Sequence, residues 1–211
     1  DGIAIDMLAG PSEVLVIADK SANPEFVASD LLAQAEHGKD SQVLLVTNDE
    51  SIIEPVLSQI DKQLALLNRK DFANASLSNS KIIVLKNYTE IMDLVNEYAP
   101  EHLIISTQNA EELIDKVVNS GSVFIGHLTP ESAGDYASGT NHTLPTNGFA
   151  KNYSGVNLDS FTKSMTFQKI TKIGIQKELE TDLSDDYTLS KSVDNLEDDS
   201  DYDVVVIVGA E

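Results

Sequence analysis

At 211 residues the chain is long enough for one full domain, and its 41% hydrophobic content is ordinary for a globular protein. A net charge of −21 argues against nucleic acid, whose phosphates need Lys and Arg, and the lack of cysteine removes disulfides and thiolate metal sites. No apolar run approaches the roughly 20 residues of a membrane span and no signal-peptide pattern opens the chain, so a soluble cytoplasmic protein is expected.

Ser12 to Asp19 (SEVLVIAD) is a short apolar run between Gly10-Pro11 and Asp19-Lys20 and reads as a buried strand. Asn23-Pro24-Glu25 then gives an N-cap, a proline at the first helical position and an early acid for a helix that runs to His37, with Gly38 as its stop. Gln42 to Thr47 is a second buried strand. An amphipathic helix follows over about Ser51 to Asn68, with Pro55 tolerated in its first turn, and a short helix over Phe72 to Leu77. Lys81 to Leu85 is the third strand, and a helix capped by Thr89 runs to Tyr98. His102 to Thr107 is the fourth strand, Ala110 to Asn119 a helix, and Ser122 to Gly126 the fifth strand. This alternation predicts an α/β fold, a parallel, Rossmann-like but incomplete sheet with helices on both faces.

Thr129 to Gly148 (TPESAGDYASGTNHTLPTNG) follows, with no helical or strand period. Loops this long are uncommon in compact domains unless they carry function. Gly134, Gly139 and Gly148 allow tight backbone bends around a ligand. Ligands in open parallel sheets sit beyond the carboxyl ends of the strands, and this loop leaves the fifth strand at that end. An active-site loop at the carboxyl edge is therefore expected. Beyond it, a short helix near Asp159 to Lys163 and a strand at Met165 to Ile170 are predicted. From Thr171 onward twelve acids face three lysines, and Ser184 to Asp203 has the composition of a disordered segment. The closing run YDVVVIVGAE is strand-like. It resembles the first strand of a dinucleotide-binding unit, but the glycine-rich turn that would follow is absent, so an edge strand or an accident of the chain end is favoured. The domain reading is thus residues 1–170 as an α/β domain and 171–211 as an acidic tail.

Several residue pairs invite chemistry. Gln34 and His37 lie one turn apart on one helix face, a spacing that offers two metal ligands. Spacing alone favours a simpler reading, with His37 placed by the helix dipole and Gln34 solvated. Glu101 and His102 follow Pro100 at the start of the fourth strand. Together they would supply a water-activating base and a proton shuttle, if proline makes the chain irregular enough for both to face one site; a polar turn tip is the equal alternative. Asp135 would add a hard oxygen ligand and His142 a second imidazole, and such a set suits Zn²⁺ or a similar ion. Ser12 at a strand start would hydrogen-bond a ligand or serve only the turn. No nucleophile elbow, phosphate-binding loop or H-E-x-x-H motif is present.

Four ordered stretches, IDMLAGPSEVLVIAD, VASDLLAQAEHGKDSQ, YAPEHLI and GSVFIGHLTPESAGDYASGTNHTLPT, closely resemble histidinol dehydrogenase over about residues 1–170. The resemblance implies a homodimeric zinc- and NAD-dependent enzyme that oxidises L-histidinol through histidinal to L-histidine. It implies Gln34, His37 and Asp135 as zinc ligands, Glu101 as the residue that activates water, and His102 as the acid–base of both hydride transfers. Ser12 and His142 are implied in the substrate pocket, which Gln34, His37, His102 and Asp135 also line.

Members of that family also carry an N-terminal half that holds NAD⁺ and a C-terminal segment whose histidine completes the zinc site across the dimer. This chain starts at Asp1 and has no histidine after Ile170; its four are His37, His102, His127 and His142. The expectation is a central portion of the enzyme with an unrelated acidic tail, inactive in oxidation by itself. A non-catalytic zinc or small-molecule-binding domain and a zinc hydrolase using Glu101 are the alternatives.

Overall fold

The computed structural model describes residues 10–169 and 205–210. Two compact units divide after Asn157. In the first, five parallel strands stand in the order β3-β2-β1-β4-β5. These are β1 (Glu13–Ala18), β2 (Gln42–Thr47), β3 (Lys81–Val84), β4 (His102–Ser106) and β5 (Ser122–Ile125). Every residue of β1 is buried, as expected of a central strand covered on both faces. Its register sets Val14 beside Val43 on one side and beside His102 on the other.

Alternation along the strands builds two cores. Val14, Val16, Val43, Leu45 and Ile104 meet α1 (Pro24–Ala35), α2 (Ile53–Leu64) and α3 (Lys70–Asn79) on one face. On the other, Leu15, Ile17, Val46, Leu103 and Ile105 meet Ile91, Met92 and Val95 of α4 (Tyr88–Tyr98) and Leu113 of a 3-10 segment, Ala110–Lys116. The expected parallel α/β fold with helices on both faces is the one observed.

Helix starts follow from local chemistry. Asn23 Oδ1 accepts the Glu25 N–H at 2.9 Å and Pro24 occupies the first turn of α1. For α4 the cap is Asn87 rather than Thr89: Asn87 Oδ1 accepts the Glu90 N–H at 3.0 Å, and Glu90 reaches back to the Asn87 amide and the Lys86 N–H. That reciprocal pairing satisfies more donors than Thr89 would two residues further in. The helix expected over Ala110 to Asn119 is instead the seven-residue 3-10 segment. Asn96 Oδ1 takes the N–H groups of Val118 and Asn119, and Asn96 Nδ2 donates to the Lys116 carbonyl, so side-chain bonds replace further helical ones.

In the second unit, a 3-10 turn at Leu158–Phe161 precedes β6 (Ser164–Lys169), which pairs antiparallel with β7 (Val205–Ala210). The closing strand-like run therefore finds an antiparallel partner in β6. Ser184 to Asp203, read as disordered from composition, lies outside the described residues.

Candidate active site

The loop after β5 leaves the carboxyl edge but does not keep the chemistry there. His127 stays at that edge, its Nδ1 2.9 Å from Ser106 Oγ and its Nε2 3.2 Å from Ser21 Oγ. The chain then descends the α1 face of the sheet, where the Glu131 N–H donates to Asp30 Oδ1 at 3.3 Å. It reaches the opposite edge, where Gly10 N–H donates to Thr146 Oγ1 and the Asn147 N–H to Glu13 Oε1 at 2.9 Å. Part of the stretch, Ser132–Tyr136, is a short helix (α5), so the reading of the whole loop as irregular is corrected. Gly139 and Gly148 have positive φ as expected, at 74° and 77°. Gly134 serves packing instead, since a Cβ there would sit 3.0 Å from Phe124 Cζ.

The polar cluster thus gathers at the amino ends of β1, β4 and β2. This overturns the placement at the carboxyl edge drawn from the general rule for open sheets. Glu101 lies just before β4, released from strand geometry by Ala99 in the left-handed region, with φ 54°. It can therefore share a site with His102, and both contact the main chain of Glu13. Glu101 Oε2 accepts the Glu13 N–H at 2.8 Å, and His102 Nδ1 lies 3.0 Å from the Glu13 carbonyl. A carbonyl only accepts, so neutral His102 carries its proton on Nδ1 and leaves the Nε2 lone pair free. Glu131 Oε1 stands 3.7 Å from that Nε2, both side chains under a tenth exposed.

Burial governs the ionisation of this cluster. It pushes Glu101 up to about 7, reinforced by the charges of Glu13, Glu131 and Asp135 against one bond from the Glu13 N–H. Glu131 is likewise raised to about 7 by burial and by the charges of Asp135 and Asp30. His102 moves the other way: desolvation lowers it, with the Glu13 carbonyl and the Asp135 charge in partial opposition. The site therefore holds a neutral base between two carboxyl groups that change charge near neutral pH.

Of the remaining expected residues, Asp135, His37 and His142 lie close enough to act electrostatically on His102. Gln34 ends α1 fully buried, and neither of its amide atoms has a hydrogen-bond partner, so the reading of Gln34 as solvated is corrected. His37 is exposed and shares a cleft of about 510 Å³ with Ser12. Asp135 Oδ1 lies 3.9 Å from His142 Nδ1. Among the described residues no three His, Asp or Glu side chains are arranged to hold a metal ion.

A family model described as histidinol dehydrogenase matches residues 1–184. The chain belongs to the histidinol dehydrogenase family.

Histidinol dehydrogenase of Bacteroides thetaiotaomicron is 60% identical over 174 residues, covering 82% of this chain and 41% of the relative. That of Yersinia pestis is 54% identical over 175 residues, covering 83% and 40%. The crystal structure of histidinol dehydrogenase from Elizabethkingia anophelis superposes with a TM-score of 0.80 at 61% identity, covering 83% of this chain and 41% of that one. The chain therefore spans about two-fifths of the length of the curated histidinol dehydrogenases it matches.

Two groups that a histidinol dehydrogenase implies can be tested against these residues. Zinc fits: Gln34 presents a buried amide with no protein partner, and His37 and Asp135 add nitrogen and oxygen donors suited to that ion. A dinucleotide does not fit the described residues. The β1–α1 turn, Asp19 to Asn23, has no glycine, and Asp19 itself takes the Ser21 N–H at 2.8 Å and the Gln108 N–H at 3.1 Å, donors a pyrophosphate would need.

Three acids escaped the sequence reading. Glu13 was hidden inside an apolar strand run, although a charge in such a run is itself a signal. Glu131 and Asp30 carry no local signal, because their importance depends on where the loop returns.

Proposed function

We propose that this chain provides the substrate-binding and acid–base part of a histidinol dehydrogenase, which oxidises L-histidinol through histidinal to L-histidine with NAD⁺ as oxidant. The observation that carries the reading is the buried Glu101–His102 pair clamped on the Glu13 main chain, at the edge of the sheet where Gln34 offers an unpaired amide.

Gln34, His37 and Asp135 would hold the zinc, which when bound would supply a Lewis acid to fix the imidazole and amino groups of the substrate. His102, neutral through burial and with Nδ1 committed to Glu13, accepts the substrate hydroxyl proton on Nε2. Glu101, poised near neutral pH, takes a proton from the water that adds to the aldehyde. Ser12 and His142 border the space left for substrate. Low exposure of Glu101, His102 and Glu131 keeps bulk water from competing with these transfers.

The test is calorimetric titration of L-histidinol into the purified chain with and without zinc. Zinc-dependent binding that is lost in His37→Ala and retained in Glu101→Gln is expected. A folded, zinc-loaded chain that gives no heat with histidinol overturns the proposal.

A further inference from the structure

We propose that Glu131 makes the site selective for the oxidation state of the reacting carbon. Its carboxylate and His102 Nε2 together receive a carbon that bears hydroxyl groups and turn away one that bears a carboxylate. The inference rests on the proposed function, in which the substrate hydroxyl meets Nε2. It is carried by the position and isolation of the Glu131 carboxylate. Oε1 stands 3.7 Å from Nε2, and both side chains are buried. The Glu131 N–H is engaged by Asp30 Oδ1, which fixes the main chain of the loop there. Among the described residues no hydrogen bond reaches the carboxylate itself, and no lysine or arginine pairs with it.

Glu101 does not share this place. Its Oε2 lies on the other side of the ring, 3.6 Å from Nδ1, and already accepts the Glu13 N–H at 2.8 Å. Phe124 flanks the His102 ring, with centroids 6.1 Å apart, and offers no donor. The end of the site at Nε2 therefore presents two hydrogen-bond acceptors. One is a ring nitrogen whose partner, Nδ1, keeps the proton for the Glu13 carbonyl; the other is a carboxylate oxygen. At 3.7 Å the two are too far apart to bond each other. They are close enough for two oxygens on one carbon to meet both.

The reacting carbon passes through forms that differ in their donors. The alcohol carries one O–H, the hydrated aldehyde two, and the carboxylate product none. A single O–H suits Nε2. The hydrate suits both acceptors at once, one hydroxyl to each, so it is held where it must wait for the second oxidation. The product has only lone pairs and a negative charge. Beside Glu131 it would set buried acceptors against one another and bring two like charges together where little water can screen them. Binding is thus favoured at the hydrate and disfavoured at the product, which promotes release once His102 is neutral again. Burial, with the Asp135 and Asp30 charges, raises Glu131 to about 7, so the carboxylate is ionised on the alkaline side of neutrality.

Calorimetric titration of L-histidinol and of L-histidine into the zinc-loaded full chain at pH 8 tests this without the oxidant. Both ligands offer zinc the same imidazole and amino groups, so the quantity read is the preference, the Kd for histidine divided by that for histidinol. Removing the charge in Glu131→Gln should lower the preference at least roughly tenfold, the scale of one unfavourable charge contact. The change should come from tighter binding of histidine. Glu131→Asp keeps the charge and should keep most of the preference. Equal preference in wild type and Glu131→Gln overturns the proposal. Should Glu131→Gln fail to fold, the wild type decides: it should bind histidinol at least roughly tenfold more tightly than histidine, and equal or tighter binding of histidine overturns the proposal. A wild type that gives no heat with histidinol overturns the proposed function and this inference together, whereas intact histidinol binding with an unchanged preference removes only the role of Glu131.

Discussion

Gln34→Leu should stabilise the metal-free protein while abolishing its response to zinc. Both amide atoms of Gln34 are buried without partners, and its residue exposure is 0%. Leaving a buried donor or acceptor unsatisfied costs roughly 1–3 kcal/mol, so the two atoms together cost at least about 2 kcal/mol. Leucine has a similar length, carries no polar atom, and would sit on α1 beside Leu31, Leu32 and Ala35, which are already in the core. For a chain of this size a gain of about 2 kcal/mol corresponds to a melting point raised by roughly 4–8 °C. In the wild type, zinc at about a hundred times its Kd would add about 2.7 kcal/mol through preferential binding to the folded state. The two proteins should therefore exchange rank: the variant melts higher in chelator and the wild type gains on zinc addition while the variant does not. Differential scanning calorimetry in the two conditions measures both. A variant that melts at or below the wild type in chelator would refute the idea that the amide waits for a ligand.

Two further outcomes follow from packing and charge. Gly134→Ala should lose about 1–3 kcal/mol of stability, the usual cost of overpacking, because the added methyl would stand 3.0 Å from Phe124 Cζ and 3.2 Å from Cε1; urea unfolding reads this directly. Stability should also decline between about pH 5 and pH 8. Glu101, Glu131 and Asp30 have folded-state values raised to about 7, 7 and 6, so their contribution is fully present below the ordinary carboxyl range and is lost as pH rises through those values. The slope is about 1.4 kcal/mol per pH unit for each proton taken up on folding. His102, lowered by burial, works in the opposite sense, one group against three. Urea midpoints that climb steadily across that window would contradict the placement of these acids.

How much of this was readable in the residues depends on how local each cause is. Gln42–Thr47 was placed to the residue, because an aliphatic run bounded by polar turns carries its own limits. Asn23 and Pro24 fixed the start of α1 for the same reason. Asn87 was passed over in favour of Thr89, since both are capping types and only the back-bond from Glu90 separates them. The parallel sheet was legible from alternation, but the edge that bears the polar cluster was not. A twenty-residue loop without period says where it leaves, at Ile125, and nothing of where it returns, at Glu13. Gln34 was read as solvated because helical spacing alone does not show which turn of a helix the rest of the fold covers. The family resemblance supplied Gln34, His37, Glu101, His102 and Asp135 together, yet gave no reason for their placement; the Glu13 main chain gives that reason for Glu101 and His102.

The double hold of Glu13 on Glu101 and His102 also sets when the site comes into being. Its bonds reach across 88 and 89 residues, between strands that three crossovers and two further strands, β2 and β3, separate in sequence. Contacts of such separation form late, after their loop-closure entropy has been met. Helical signal from α1, α2 and α4 should therefore return early in refolding, while the buried imidazole acquires its fixed tautomer only when β1 docks against β4. A slip of that pairing by a single residue would turn His102 to the opposite face, away from α1 and Glu131. The acid–base pair is thus a property of one strand register, and a chain trapped in another register would keep its helices and its compactness but contain no base.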